Sequence, residues 1–207
     1  MKKLVTLVFA GILACSCIAG CGRKDGLADA PTKGIVSKMP SEEVRVEPKG
    51  DVTRTVEDAM DDLDLGLDDD HVTWGVTGVQ IKGGRATYTL SELYDGVAVY
   101  GTKAVFEGTK GSLTLTSLSY TDATPYKDAT FDGDPLEALP LATAYVKKGG
   151  WDGDISADIV SPSDEWALDG HGHLTPCRRV SVSAPDQKAG ILLVGVDKTV
   201  FGFEADE

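Results

Sequence analysis

The chain has 207 residues, a formal charge of −13 and 26% charged residues. That length suits one large domain or two small ones with a real core. The acidic balance excludes nucleic acid, whose phosphates recruit clustered Lys and Arg, and argues against lying flat on anionic lipid.

The N-terminus carries Lys2 and Lys3 followed by an apolar run from Leu4 to Ala19. This is the basic-then-apolar layout of a secretory signal, and the run is short of the roughly 20 residues a spanning helix needs. It ends in Ile18-Ala19-Gly20-Cys21, which resembles a bacterial lipobox. The resemblance implies a lipoprotein signal peptide over 1–20, cleavage after Gly20, and a diacylglyceryl group on the Cys21 thiol, with acyl chains such as palmitate. Each buried CH₂ contributes about 0.8 kcal/mol, so two or three chains anchor firmly. Cys15 and Cys17 match less well: Leu13 is large for its place, and Ala14 stands where a branched residue should precede Cys17. The competing reading is an ordinary cleaved signal that happens to contain cysteines. With Cys21 alkylated, Cys177 has no disulfide partner and is expected to be buried and inert.

Residues 21–50 read as a flexible tether, with Gly22, Gly26, Pro31, Gly34, Pro40, Pro48 and mixed charges. A first unit is expected over 51–126. Val56, Met60, Leu63 and Leu67 predict a helix from Thr53 to Leu65. Strand-like runs follow at His71–Ile81, Ala86–Tyr94, Val97–Glu107 and Ser112–Tyr120. Asp95-Gly96 is a strong hairpin signal of type I′. A second unit is expected over 132–207, with a helix at Pro135–Lys148. Its strands are predicted at Ile155–Val160, Trp166–Leu168, Arg178–Ser183, Gly190–Val196 and Val200–Phe203. Two helix-plus-antiparallel-sheet units predict an α+β fold.

The run Leu90 to Gly101, with Tyr94, Gly96, Val99, Tyr100 and Gly101, resembles the hairpin signature of the FTP domain, a module of thermolysin-like and fungalysin protease propeptides. Ser91 and Glu92 replace the family's glutamines, and Ala98 its proline. Leu174-Thr175-Pro176 before Arg178 to Val182, and Ile191 to Asp197, are similar to PepSY-type strands. The resemblance implies non-catalytic modules that bind or restrain other proteins.

Asp51 to Asp70 holds nine acids against Arg54 alone. No stretch there has the order of a calcium loop, nor do Asp132-Gly133-Asp134 and Asp152-Gly153-Asp154. A solvated face explains the acids, with a docking surface for a basic partner as the alternative. His171, His173 and Cys177 are the one metal-like cluster, but Gly170 and Gly172 suggest a loop. Nucleophile elbows, zinc-protease motifs and phosphate-binding glycine loops are absent from the sequence. The expectation is therefore no catalytic, metal or cofactor site, with Cys21 as the lipidation site, and a lipoprotein that is not an enzyme. It would be extracytoplasmic, attached to the bacterial cell membrane through lipid on Cys21. Its partner would be an envelope or secreted protein, met on a sheet face or edge. The alternative is a small-ligand-binding lipoprotein with a pocket between the units, lined by Trp151 or Trp166.

Overall fold

In the computed structural model, residues 27, 28, 32–67 and 70–205 are described. The signal-like segment and Cys21 lie outside them. Two antiparallel sheets dominate. The first comprises β1 (Val36–Ser37), β2 (Arg45–Val46), β3 (Val72–Lys82), β4 (Arg85–Tyr94), β5 (Val97–Ala98), β6 (Lys103–Thr109) and β7 (Ser112–Tyr120). Its main path runs β1-β7-β6-β4-β3, with β2 also on β7 and β5 on β4. The second comprises β8 (Ser156–Leu168), β9 (Leu174–Ala184), β10 (Gln187–Gly195) and β11 (Val200–Ala205), in the order β11-β10-β9-β8.

The expected α+β class is corrected by this architecture: the chain is β-rich. The α-helices among the described residues, α1 (Val52–Asp61) and α2 (Ala138–Lys148), have only 10 and 11 residues. The predicted first helix stops short because Asp61, Asp62 and Asp64 crowd like charges at its end, where Asp62 is the C-cap. Strand length grows where it was not expected. The segments around Ile155–Val160 and Trp166–Leu168 join into one strand of 13 residues, β8.

The tether expectation also fails for residues 32–50. Val36 and Ser37 pair with Tyr120 and Ser119, and Arg45 and Val46 pair with Thr114 and Leu113. Val44 and Val46 pack on the first core. Proline and glycine gave this stretch a disordered composition, but edge strand β7 offers backbone partners that composition does not reveal.

Each sheet buries one face under its helix. On β4, Ala86, Tyr88, Leu90, Glu92 and Tyr94 alternate inward, the period-2 signature of a half-buried strand. Val56 and Met60 of α1 close over that face with Trp74, Phe106, Leu113 and Leu115. Asp51 caps the helix by accepting from Thr53 N–H at 3.0 Å, one of the N-terminal donors a helix leaves unpaired. In the second sheet, Ala142 and Val146 of α2 cover Val180, Val182, Leu192, Val194 and Phe203. The β4–β5 turn has Asp95 at φ 49° and Gly96 at φ 79°, both positive as a type I′ turn requires.

The sheets meet at a third apolar cluster of Tyr94, Val99, Trp166, Leu168 and Leu174. Parallel bridges join Val99 to Trp166 and Pro125 to Leu174. Tyr100 N–H donates to Trp166 O at 2.8 Å. The Trp166 indole N–H donates to Tyr94 O at 3.1 Å.

Deleting residues 32–48 removes the pairing on β7 and exposes Leu113 and Leu115. A loss of about 2 kcal/mol follows from two partly buried valines and the lost pairing. For a domain of this size that lowers the thermal midpoint by about 4–8 °C. An unchanged midpoint in thermal denaturation would show that this segment is only draped on the sheet.

Candidate functional site

β3 lies at the end of the first sheet and pairs only with β4 among the described residues. Its apolar residues are Val72, Trp74 and Val76, then Val79 and Ile81. The one-residue slip in phase marks a bulge between Val76 and Gly78, opposite Leu90 and Thr89. A bulge absorbs one residue and keeps the following side chains on the same face. Val79 therefore stands opposite Tyr88 and Ile81 opposite Ala86, both core residues. Yet Val79 is 48% exposed and Ile81 57%. They extend the apolar face past the reach of α1.

The two halves of the β3 edge differ. Glu57 and Asp61 sit one turn apart on α1, on the same side of the helix. Glu57 Oε1 accepts from Val76 N–H at 2.9 Å, and Asp61 Oδ1 accepts from Trp74 N–H at 2.9 Å. These carboxylates take up the outward donors of the first half. Burial, with help from neighbouring Asp58, Glu57 and Asp62, raises the Asp61 carboxyl above its ordinary range, and the Trp74 hydrogen bond only partly opposes this. Past the bulge the edge is open. The turn Gly83-Gly84 closes on the pair Lys82–Arg85. A two-residue turn closes on a hydrogen-bonded pair, and pairs alternate along an antiparallel ladder. Gln80 thus bonds to β4, while Val79 and Ile81 direct N–H and C=O away from the sheet.

Other edges are blunted. β7 carries β1 and β2, and Phe203 N–H of β11 donates to Ala28 O at 3.0 Å. β8 presents Asp158, Ser161 and Pro162 where its pairing with β9 breaks off between Ile159 and Asp164; proline and charge are the usual protection of a strand edge.

The residues singled out in the sequence lie elsewhere and do not converge. Trp74 is in the first core, Trp151 packs edge-on against Phe203 at 5.6 Å, and Trp166 is in the seam. The pocket lined by Trp151 or Trp166, which was the alternative reading, is not formed by these rings, because each is buried in a different cluster. Cys177 is fully buried and burial pushes its thiol well up. His171 is exposed on the β8–β9 turn, and His173 stacks on Tyr126 at 4.2 Å. Among the described residues no group of His, Cys, Asp and Glu is arranged to hold a metal ion.

A cleft of about 810 Å³ opens beside the seam, with Tyr126, Asp128, Asp169, His171, Asp197 and Phe201 in its wall. Two of its acids, Asp169 and Asp197, serve the turns. Asp169 accepts from His171 N–H at 2.7 Å, His173 N–H at 2.9 Å and the Tyr126 hydroxyl at 2.5 Å. Burial works upward on this carboxyl, but those hydrogen bonds outweigh it and hold it down to about 2. Asp197 accepts from Thr199 N–H at 3.0 Å and from its hydroxyl at 2.9 Å.

Sequence reasoning missed two buried charged groups near the seam. Arg178 is 5% exposed, bonds Asp164 at 2.6 Å, donates to Phe131 O and lies over the Phe131 ring at 5.5 Å. Glu92 is fully buried opposite Trp74. Its Oε2 accepts from Thr121 N–H at 3.0 Å, while Oε1 has no hydrogen-bond partner among the described residues. The visible signal for Glu92 was its place in the inward alternation of β4. No protein-family model matches the chain, and no curated protein is significantly similar to it.

Burial, with a smaller contribution from Asp122, raises the Glu92 carboxyl from 4.5 to about 7. Between those values the native state holds a proton the unfolded chain releases. Stability is then full below the unfolded value and falls as pH rises toward the folded one, by about 3 kcal/mol. Glu92→Gln should remove this share of the decline when thermal denaturation is compared at about pH 5 and about pH 8. Glu165, also raised to about 7 chiefly by burial, should retain its own share. Parallel pH profiles for the two proteins would refute the assignment to Glu92.

Proposed function

We propose that this protein is an extracytoplasmic lipoprotein, anchored to the bacterial cell membrane through Cys21, that binds an envelope or secreted protein without catalysing a reaction. The working surface is the open half of β3, where an extended partner segment adds a strand to the sheet. The observation that carries the reading is the pair Val79 and Ile81: core-face residues left exposed beside backbone groups that no described residue pairs. Backbone hydrogen bonds supply affinity in such recognition, and alternate side chains supply specificity. The anchor rests on Lys2, Lys3, the apolar run and Ile18-Ala19-Gly20-Cys21. The FTP-like and PepSY-like motifs are part of the same reading, since in those families they belong to modules that bind or restrain proteins.

A second reading, binding of a small molecule, draws on the cleft near Tyr126 and Phe201, whose volume of about 810 Å³ lies within the ordinary range for ligand sites. It ranks lower because two of its carboxylates, Asp169 and Asp197, already bond the turns that hold them.

Two experiments test the proposal. Cys21→Ala should abolish fatty-acid labelling and release the protein from membranes; continued labelling through Cys15 or Cys17 would move the anchor. A photoreactive side chain at Ile81 in intact cells should trap a partner, and adding Val79→Lys should cut the yield about tenfold, as a desolvated charge opposes strand addition. An unchanged yield would place partner binding on another surface.

A further inference from the structure

The open half of β3 does not lie in a neutral setting. The edge from Thr77 to Lys82 is six residues, roughly 20 Å of strand. At its Val76 end it runs directly into the carboxylates of α1. Glu57 and Asp61 each spend one oxygen on a β3 N–H. Their other oxygens make no hydrogen bond among the described residues. Asp58 is exposed and its ion pair with Arg54 is long, at 3.7 Å, and solvated. Asp62 and Asp64 follow at the exposed end of the helix. Crowding of these acids already contributes to raising Asp61.

Resting on the strand-addition reading, we infer that the segment this edge accepts is basic: an extended stretch with aliphatic residues two apart, seated against Val79 and Ile81, and Lys or Arg at the end that reaches α1. The two requirements come from different atoms. Backbone donors and acceptors at Val79 and Ile81 need a strand, and their side chains need apolar neighbours on one face of it. The carboxylates held at Val76 and Trp74, three and five residues before Val79, need cations, because like charge placed there costs affinity and opposite charge both steers approach and fixes direction. A second copy of this chain fits less well. Its formal charge of −13 opposes close approach of two copies, and a self-paired ladder limited to this short edge falls below the area of a stable interface.

The test uses the full chain and labelled peptides Lys-Lys-Thr-Val-Thr-Ile-Thr-Lys-Lys and Glu-Glu-Thr-Val-Thr-Ile-Thr-Glu-Glu, with binding read by fluorescence anisotropy. The lysine peptide should bind at least about tenfold more tightly, and the preference should shrink as salt shortens the Debye length. Replacing the exposed Asp58, Asp62 and Asp64 together by Asn should bring the two affinities close while leaving the thermal midpoint in place. Val79→Pro removes an outward N–H without breaking a bond to β4, and should abolish binding of the lysine peptide; Val79→Lys supplies the same test should proline unfold the edge. Equal binding of both peptides, still lost in Val79→Pro, would overturn the basic assignment and leave strand addition standing. Failure of both peptides to bind would overturn strand addition itself. If sedimentation then shows a dimer that Val79→Pro dissociates, the occupant is a second copy and the basic partner is refuted.

Discussion

A sheet that does not close into a barrel leaves two rows of backbone N–H and C=O groups without partners, and much of this chain is arranged around that fact. The N-terminal stretch, rich in proline and glycine, is spent on β7. Ala28 reaches β11. The rim of β5 meets β8 through Val99 and Tyr100. On β3 the solution is of another kind: a helix lays two carboxylates along the strand and takes up two amides. Ending that protection at the bulge leaves a short stretch, with Val79 and Ile81 exposed, whose outer edge no described residue pairs, beside an acidic helix, and this contrast with the other edges is the basis of the functional reading.

The seam follows from the same accounting. Two sheets with covered faces have little reason to associate unless something at their ends is apolar on one side and polar on the other. Trp166 satisfies both needs, burying its ring against Tyr94 and Phe131 while its N–H finds Tyr94 O. Arg178 is tolerated in this dry setting because Asp164, a carbonyl and an aromatic face receive it. Only the arginine of this pair is buried, since Asp164 is 40% exposed, so the carboxylate keeps much of its hydration while it neutralises the guanidinium. Glu92 has no such compensation among the described residues: one oxygen accepts from Thr121 N–H and the other has no partner, so burial raises its carboxyl to about 7.

Much of the strand pattern was legible. The strands expected at His71–Ile81, Ala86–Tyr94 and Ser112–Tyr120 and the Asp95-Gly96 turn lie within a few residues of those observed, because inward alternation on a half-buried strand is written directly into residue order; the single strand expected over Val97–Glu107 is instead split into β5 (Val97–Ala98) and β6 (Lys103–Thr109). The break of β3 was not read from the sequence, although the odd spacing between Val76 and Val79 carries it; the bulge shows that both halves share a face. Composition misled at residues 32–50, where proline and glycine signal disorder but cannot say whether an edge strand waits to be paired. It misled again at the class level: short helices with strong periodicity drew more weight than their length justified.

The sequence by itself determined the acidic character of this protein, its signal-like N-terminus with Cys21, the order of its helices and most of its strands, since these depend on neighbours along the chain. Only the tertiary structure decided which acids bond to β3, why Trp166 and Arg178 lie at a seam, and that Val79 and Ile81 face the core direction yet stay uncovered. Those outcomes depend on where α1 ends relative to a strand more than ten residues away, and on which edges other segments reach first. Pairing across such distances leaves no periodic trace in the sequence.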